Sequence, residues 1–237
     1  FNFPFAELTS LPKVLQPSQN LQLTEVNRFN PLESAVAYSF SGSGVAASAM
    51  AIQLLSNDVP VYRVGDPALI MVPESIVKKG DFIIPLATNE KLTKQRRQHI
   101  EHQLTEQTRR WEERVNGLQT GLNMAGPDLG SPNLVPLKEV KPLLLTGQGV
   151  DPQEAGHIWH LLDQRLGLGL PMLDVHHQQN FNLSDFTHLL IPDINPIAIP
   201  KAWYPRIKQW VMAGGVLVTQ KRSALWAEAV FSERGDE

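Results

Sequence analysis

Short apolar runs alternate with helix-like segments from residue 35 onward, and the apolar runs predict strands. Each run is apolar at successive positions instead of alternating with polar residues, which is typical of strands buried between two helical layers. The pattern predicts an α/β fold in which a doubly wound, mostly parallel sheet has helices on both faces. The predicted strands are 35–40, 59–64, 81–86, 142–146, 171–175, 188–191 and 216–219.

Helices are predicted between these strands at 44–55, 89–116, 151–166, 201–213 and 223–230. The clearest start is at Asp151, because its carboxylate can accept hydrogen bonds from free backbone N–H groups, Pro152 suits the first helical position and Glu154 follows in the first turn. Gly214 and Gly215 end the fourth helix immediately before an apolar run. This helix–strand junction is typical of doubly wound sheets.

The domain organisation follows from changes in composition. Residues 1–34 predict an irregular lead-in or the tail of a preceding domain, 35–230 one α/β domain, and 231–237 a polar tail. The stretch 117–141 is rich in Gly, Pro and Asn and predicts a long loop, either a binding loop or a linker. The sequence begins with Phe1, Phe3 and Phe5 and not with a methionine. This start indicates either a neighbouring domain that is missing, or a boundary set by removal of a signal peptide or by the choice of segment.

Composition and charge exclude several classes of function. The chain is 42% hydrophobic, and 21 basic residues against 24 acidic ones leave a net charge of −3. This balance lacks the basic surface expected of a protein that binds nucleic acid or an anionic membrane. The apolar runs are too short to predict a membrane span. With no cysteine, the chain has neither disulfides nor thiolate ligands, and this leaves the compartment open.

Candidate ligand-binding residues lie where predicted strands end. Gly147-Gln148-Gly149 follows one strand and precedes the capped helix, and open α/β sheets bind ligands at this edge. The predicted binding residues are Gly147, Gln148, Gly149, Glu154, His157 and Asp193.

The sequence supports a metal site or a nucleotide site less well than a ligand site at the strand ends. The spacing of His157 and His160 could hold a metal, but no H-x-x-E or H-E-x-x-H supplies further ligands, so no metal site is predicted. The run Ser39-Phe40-Ser41-Gly42-Ser43-Gly44 loosely matches a nucleotide fingerprint, but any tight strand–helix turn favours small residues.

The sequence contains no recognisable nucleophile motif. G-x-S-x-G is absent, and the turn after the last strand, Gln220-Lys221-Arg222-Ser223, carries no cysteine. Ser223 is predicted to cap a helix, and no catalytic residue is predicted. If the chain were itself a hydrolase, it would need a catalytic set such as Ser223, His157 and Asp193. The only support for this set is the assumption that the three residues lie close together. The tryptophans on predicted helices, Trp159, Trp203, Trp210 and Trp226, are assigned to the core or a domain interface.

One long segment carries a resemblance to a known family. The stretches are LLLTGQGV at 143–150, EAGHIWHLLD at 154–163, GPDLGS at 126–131, FTHLLIPD at 186–193 and WVMAGGVLV at 210–218. They resemble the C-terminal region of large bacterial zinc carboxypeptidases of the M14 type, in which a class I glutamine amidotransferase-like domain follows the peptidase domain. The resemblance covers roughly residues 35–227.

The resemblance implies a flavodoxin-like sheet that acts as a non-catalytic accessory domain. Zinc and the catalytic glutamate would belong to the upstream peptidase domain of the same chain, so no cofactor is expected here. The expected partners are that peptidase domain and, for the parent enzyme, a peptide that loses its C-terminal amino acid. A homo-oligomer is compatible with the sequence, and the family favours a periplasmic or secreted location. The alternative is a small-molecule sensor that binds its ligand near Gly147 and Gly149.

Overall fold

The computed structural model describes residues 27–65, 69–72, 75–86, 94–122, 128–176 and 182–232. Within these ranges the chain forms an α/β structure with five α-helices. The helices are α1 (Val45–Ser56), α2 (Lys94–Trp111), α3 (Pro152–Trp159), α4 (Trp203–Met212) and α5 (Arg222–Phe231). The strands are β1 (Ala37–Phe40), β2 (Tyr62–Val64), β3 (Leu69–Val72), β4 (Ser75–Lys78), β5 (Phe82–Pro85), β6 (Val115–Leu118), β7 (Leu134–Pro136), β8 (Pro142–Thr146), β9 (Met172–Asp174), β10 (His188–Ile191) and β11 (Val216–Thr219).

The strands form two main sheets. The N-terminal half builds a five-stranded sheet in the order β6-β1-β5-β2-β7, and all of its pairs are antiparallel. The C-terminal half builds a four-stranded parallel sheet in the order β11-β10-β8-β9. β3 and β4 pair as a separate antiparallel hairpin. The mixed α/β class is therefore confirmed, whereas the expectation that the runs 35–40, 59–64 and 81–86 pair in parallel is wrong.

The antiparallel sheet is apolar on successive positions because both of its faces are covered. Tyr38 and Ile84 point into the core that α1 and α2 close, whereas Ala37 and Ile83 point into a second core with Leu118. A continuous apolar run indicates that a strand is buried on both faces, and it carries no information on strand direction. Because strands buried on both faces are typical of parallel sheets, the pattern suggested a parallel sheet here. The run 117–141, expected to be a loop, contributes the end of β6 and all of β7, which pairs with β2.

The parallel sheet has its own hydrophobic core. Leu144 and Leu189 from neighbouring strands are fully buried, and α4 and α5 add Trp203 and Trp226. Trp159 and Trp210 are partly buried against the same core, so all four tryptophans assigned to a core or interface pack there. After Trp159, α3 continues as a π-helical segment, His160–Arg165. In the part of the chain described here, no helix combines the length and apolar character required to span a bilayer.

The two halves contact each other where α1 meets the turn after the π-helical segment. The side-chain amide of Gln53 donates to the carbonyl oxygens of Leu166, at 3.0 Å, and Gly167, at 2.7 Å. The Arg110 guanidinium lies over Gly167, where a Cβ atom would come within 2.8 Å of it. Hydrogen bonds from Gln53 to two backbone carbonyls therefore join the two halves at this position.

A hydrogen-bond network ties α2 to β1 in the N-terminal half. The fully buried Tyr38 hydroxyl donates to Glu101 Oε1 at 2.7 Å and accepts from the Leu32 amide at 3.3 Å. Arg97 donates from Nε to the same carboxylate oxygen at 2.9 Å and from Nη2 to the Leu32 carbonyl at 2.6 Å. Burial, and then the hydrogen bond to Glu101, raise the pKa of Tyr38 above its ordinary value of 10.0.

This raised pKa predicts a loss of stability in alkali. The folded state retains the Tyr38 proton more tightly than the unfolded state, so its contribution is complete below pH 10.0 and is lost as pH rises through the folded pKa. We expect the free energy of unfolding, measured by urea titration at several pH values above neutrality, to fall less steeply in Tyr38→Phe than in the wild type. Tyr62→Phe on β2 is the control, and equal slopes for Tyr38→Phe and the wild type would contradict the assignment.

Candidate functional site

The carboxyl edge of the parallel sheet brings together several of the predicted binding residues. The loops that follow β8 and β10 run beside each other and exchange backbone hydrogen bonds. Asp151 N donates to the Asp193 carbonyl at 2.8 Å, and Asn195 N donates to the Gly149 carbonyl at 2.9 Å. These bonds bridge the crevice between the two strands, which is the place where open α/β sheets bind ligands.

Gly147 and Gly149 are required here by the backbone and by close packing. Both have positive φ, 103° and 93°, which L side chains rarely adopt. A Cβ at Gly147 would lie 2.4 Å from Asp174 Oδ1, and one at Gly149 would lie 2.6 Å from the Ala198 methyl group. The glycine-rich turn is therefore explained by how it packs, without reference to a ligand.

Replacing Gly149 by alanine is expected to cost about 2 kcal/mol, because the methyl group would combine backbone strain with a collision against Ala198. Gly156→Ala in α3 is the matched control. Apart from its chain neighbours and the nearby backbone of α3, no atom lies within 4 Å of its Cβ position, and alanine is the better helix former, so this variant should be stabilised by about 0.5–1 kcal/mol. Urea unfolding of both variants measures the difference, and a Gly149→Ala protein as stable as the wild type would contradict it.

Two ion pairs connect the N-terminus of α5 to this edge. Lys221 Nζ lies 2.5 Å from Glu154 Oε1. Arg222 holds Asp193 through Nε to Oδ1 at 2.8 Å and through Nη2 to Oδ2 at 3.2 Å, and its backbone N–H also donates to Oδ1 at 3.3 Å. The hydrogen bond from Arg222 lowers the pKa of Asp193, and the hydrogen bond with Glu154 raises the pKa of Lys221. Both predicted acidic binding residues are thus occupied by cations of the chain itself.

The turn between β11 and α5 has an unusual backbone. Lys221 adopts φ 54° and ψ −121°, a conformation that non-glycine residues rarely adopt and that clusters at functional sites. A sharp, strained strand-to-helix turn is also the position where α/β-hydrolases carry their nucleophile. In this chain the residue at the turn is a lysine whose ammonium group is bound to a carboxylate.

Ser223, expected to cap the last helix, lies inside it and does not cap it. α5 begins at Arg222, and the Ser223 side chain is fully buried. Its hydroxyl contacts the Ile191 carbonyl at 2.9 Å, the Gln220 carbonyl at 2.7 Å and the Gln220 N–H at 2.8 Å. The hydroxyl therefore fastens the end of β10 to the turn.

The positions of the remaining predicted residues favour neither a metal site nor a nucleophile with its catalytic base. Gln148 and His157 are exposed, and His157 lies on α3 near its end. Asp151 caps α3 as predicted, because its Oδ1 accepts from the backbone N–H groups of Gln153 and Glu154. Among the residues that the structure describes, no three His, Asp or Glu side chains are grouped closely enough to hold a metal ion.

The glycine-rich segment after β1 is shaped by a close backbone approach. A Cβ at Gly42 would lie 1.7 Å from the Gly80 carbonyl oxygen, and the Gly42 N–H donates to Asp81 Oδ1 at 3.0 Å. Packing between two turns thus accounts for glycine at this position. No structural observation at this loop favours a nucleotide over that explanation.

A small cleft lies beside the edge, between α3, the carboxyl end of β8 and the first residue of β9. Its volume is about 290 Å³, and apolar groups form most of its lining. The lining residues are Thr146, Gly147, Val150, Pro152, Ala155, Gly156, Trp159 and Met172. Gly147 is the predicted binding residue that borders it.

Lys221 and Arg222 are the residues of this site that the sequence reasoning missed. A signal was present, since two basic residues stand between the last strand and the last helix, opposite the acidic residue that follows β10. The partners of these cations come from segments 29 and 67 residues away along the chain. Distances along the sequence this large hide such a pairing until the fold is known.

Comparisons with known proteins identify no relative for this chain. Neither the models of protein families nor the curated proteins nor the solved structures include a match.

Proposed function

We propose that this chain is a non-catalytic accessory unit of a zinc carboxypeptidase and that its C-terminal half is a flavodoxin-like, amidotransferase-like domain. The order of the parallel strands supports the fold proposal. In chain order, the strands are arranged second, first, third, fourth from β9 to β11. This is the beginning of the 2-1-3-4-5 order of flavodoxin-like sheets.

The observation that carries the non-catalytic role is the state of the β11–α5 turn. A nucleophile at such a turn needs a free or activated side chain. Lys221 is instead bound to Glu154, which favours its charged, non-nucleophilic form, and the Ser223 hydroxyl is buried in backbone hydrogen bonds. The acidic groups that could assist catalysis are paired with cations in the same way. The geometry thus favours a structural or binding role.

The proposed partner is the peptidase domain of a longer chain, which would hold the zinc and receive the peptide substrate. The exposed apolar side chains around the edge strand β11 are suitable for such a contact. Val216 and Val218 on β11 are 43% and 40% exposed, Leu225 on α5 is 65% exposed, and Met212 on α4 is 81% exposed. The segment with Phe1, Phe3 and Phe5, also considered as a docking region, lies outside the described residues.

The test measures release of C-terminal amino acids from a mixed peptide set in the presence of zinc. We expect turnover by the full-length gene product and none by this chain alone. Turnover by this chain that a chelator stops would refute the accessory role. A second arm measures binding of this chain to the separate peptidase domain, with Val216→Lys/Val218→Lys as the interface variant and Val135→Lys, half exposed on β7, as the control. Equal binding by both variants would contradict the assignment of β11 to the interface.

The second candidate is a small-molecule sensor, which the cleft between α3 and β9 favours. Small binding sites are concave and mostly apolar, and this cleft has both properties near the carboxyl end of β8. The experiment screens small aromatic and aliphatic compounds for a rise in melting temperature. A ligand of the cleft should stabilise the wild type and lose its effect in Gly156→Leu, because Gly156 lines the cleft. A screen without any stabilising compound would reject the sensor.

A further inference from the structure

Gly156 stands in the interior of α3, where glycine is unfavourable because its backbone loses more conformational freedom on folding than that of other residues. Gly147 and Gly149 are required by positive φ and by close packing, but Gly156 has neither property. Beyond its chain neighbours and the nearby helix backbone, open space surrounds its Cβ position. Packing within the described part of the chain therefore gives no reason for glycine here.

The cleft beside α3 supplies a reason. Pro152, Ala155, Gly156 and Trp159 all line it. Their spacing of i, i+3, i+4 and i+7 places the four positions on one face of the helix. A side chain at position 156 would therefore project from the face that borders the cleft. Glycine at this position leaves the cleft open towards the helix backbone.

The lining of the cleft is suited to an uncharged aromatic ring. None of the eight described residues that line it is charged. Thr146 carries the one hydroxyl among them, and this group donates to the Leu173 carbonyl at 3.3 Å. The indole of Trp159 and the thioether of Met172 border the same space, and both groups interact favourably with aromatic rings. Met172 is 53% exposed, so a ligand would remove apolar surface from water.

The helix changes its form directly beside the cleft. α3 ends at Trp159 and continues as the π-helical segment His160–Arg165. Segments of π-helix are rare and occur frequently at functional sites. This feature is independent of the glycine and of the chemistry of the lining, and it supports a binding site at this end of α3.

We propose that the cleft binds a small, uncharged aromatic molecule and that Gly156 determines which ligands fit. The ligand ring lies against α3 at Gly156 and contacts Trp159 and Met172. The volume of about 290 Å³ is at the lower end of the range for ligand pockets, which limits the ligand to about one or two rings. This inference rests on the sensor function proposed above, whose ligand class it names, and it is independent of the accessory role.

Indole is the probe for the first test, and the methyl resonances of the five methionines report its binding. In protein isotopically labelled at these methyl groups, indole should shift the Met172 resonance in a saturable manner, because an aromatic ring changes the chemical shift of a nearby methyl group. Met172→Leu identifies this resonance. Met212, which is 81% exposed on α4 and does not line the cleft, is the internal control. A Met172 resonance that stays unchanged throughout the titration would overturn the proposal.

Two matched pairs of compounds test the ligand class by the same method. Phenol and cyclohexanol differ in aromatic character, and benzamide and benzoate differ in charge. We expect phenol and benzamide each to bind about tenfold more tightly than the other member of the pair. Equal affinities within either pair would overturn the proposed ligand class. The sensor function itself would survive this result, because only a thermal screen without any stabilising compound rejects it.

Gly156→Ala separates ligand binding from stability. The added methyl group should weaken indole binding about tenfold or more, as expected for one additional carbon in a filled apolar pocket. Since the same variant is expected to be more stable than the wild type, weak binding could not result from a failure to fold. Gly130→Ala, between β6 and β7, is the control, because open space also surrounds its Cβ position and it lies outside the cleft. Wild-type affinity for indole in Gly156→Ala would overturn the role of Gly156.

Discussion

Replacing Trp203 by alanine is expected to lower the free energy of unfolding by about 4 kcal/mol, the largest effect predicted for this protein. Trp203 begins α4 and is 2% exposed in the core of the parallel sheet. Its removal would leave a cavity as well as exposing the surrounding apolar surface, because a packed core relaxes only partly around a deleted side chain. Urea unfolding followed by tryptophan fluorescence and circular dichroism gives the free-energy difference.

The control for this prediction is Ile197→Ala. Ile197 lies just before α4 and is 90% exposed, so its truncation should change stability by less than about 0.5 kcal/mol. Since the antiparallel sheet has a separate core, the circular dichroism transition of Trp203→Ala is expected to separate into an early step for the parallel half and a later one for the remainder. A cost below about 1 kcal/mol for Trp203→Ala would contradict the packing described for α4.

Replacing Glu101 by glutamine is expected to cost about 3 kcal/mol, the second largest effect. The side chains of Glu101 and Arg97 are 19% and 25% exposed, so this pair is shielded from water far more than a surface pair. Glutamine keeps the shape and can still accept from Tyr38, but it leaves the Arg97 guanidinium without its counter-charge. A half-buried cation that has lost its partner keeps the cost of desolvation without the compensating attraction.

Glu106→Gln supplies the matched control on the same helix. Glu106 also pairs with an arginine, Arg109 at 3.2 Å, but the two side chains are 50% and 72% exposed. Its loss is expected to cost less than about 0.5 kcal/mol. Urea titration at neutral pH compares the two variants, and similar costs would mean that burial does not strengthen the network around Tyr38. In a double-mutant cycle Glu101→Gln and Tyr38→Phe should be coupled, because both change one hydrogen bond.

Much of the parallel half could be predicted from local sequence. β8, β10 and β11 begin and end at the predicted residues, and α3 starts at the predicted cap, Asp151. These predictions are confirmed because each depends on a short-range rule: buried parallel strands are apolar runs, and an Asp-Pro pair provides a helix start. The alternation of apolar runs and helices was also sufficient for the α/β class.

Pairing in the N-terminal half could not be obtained in the same way. The side chains of β1 and β5 are apolar on both faces because two cores enclose the sheet, and this pattern is identical for parallel and antiparallel neighbours. β6 was missed because its first two residues, Val115 and Asn116, were included in the predicted helix 89–116, whereas α2 ends at Trp111. β7 was missed because Leu134–Pro136 is short and stands among glycines, prolines and polar residues. Their strand conformation comes from hydrogen bonds with partners distant in the sequence, which outweigh weak local preference.

The candidate site likewise has features that local sequence predicts and features that only the tertiary structure decides. The sequence by itself determined that Gly147, Gly149, Glu154 and Asp193 would stand near strand ends, since the positions of strands and caps follow from local patterning. Only the tertiary structure decided that Glu154 and Asp193 would be paired with Lys221 and Arg222 and that Ser223 would be buried. The physical reason is that ion pairs, strain and burial depend on distances between segments far apart in the chain, which local patterns do not encode.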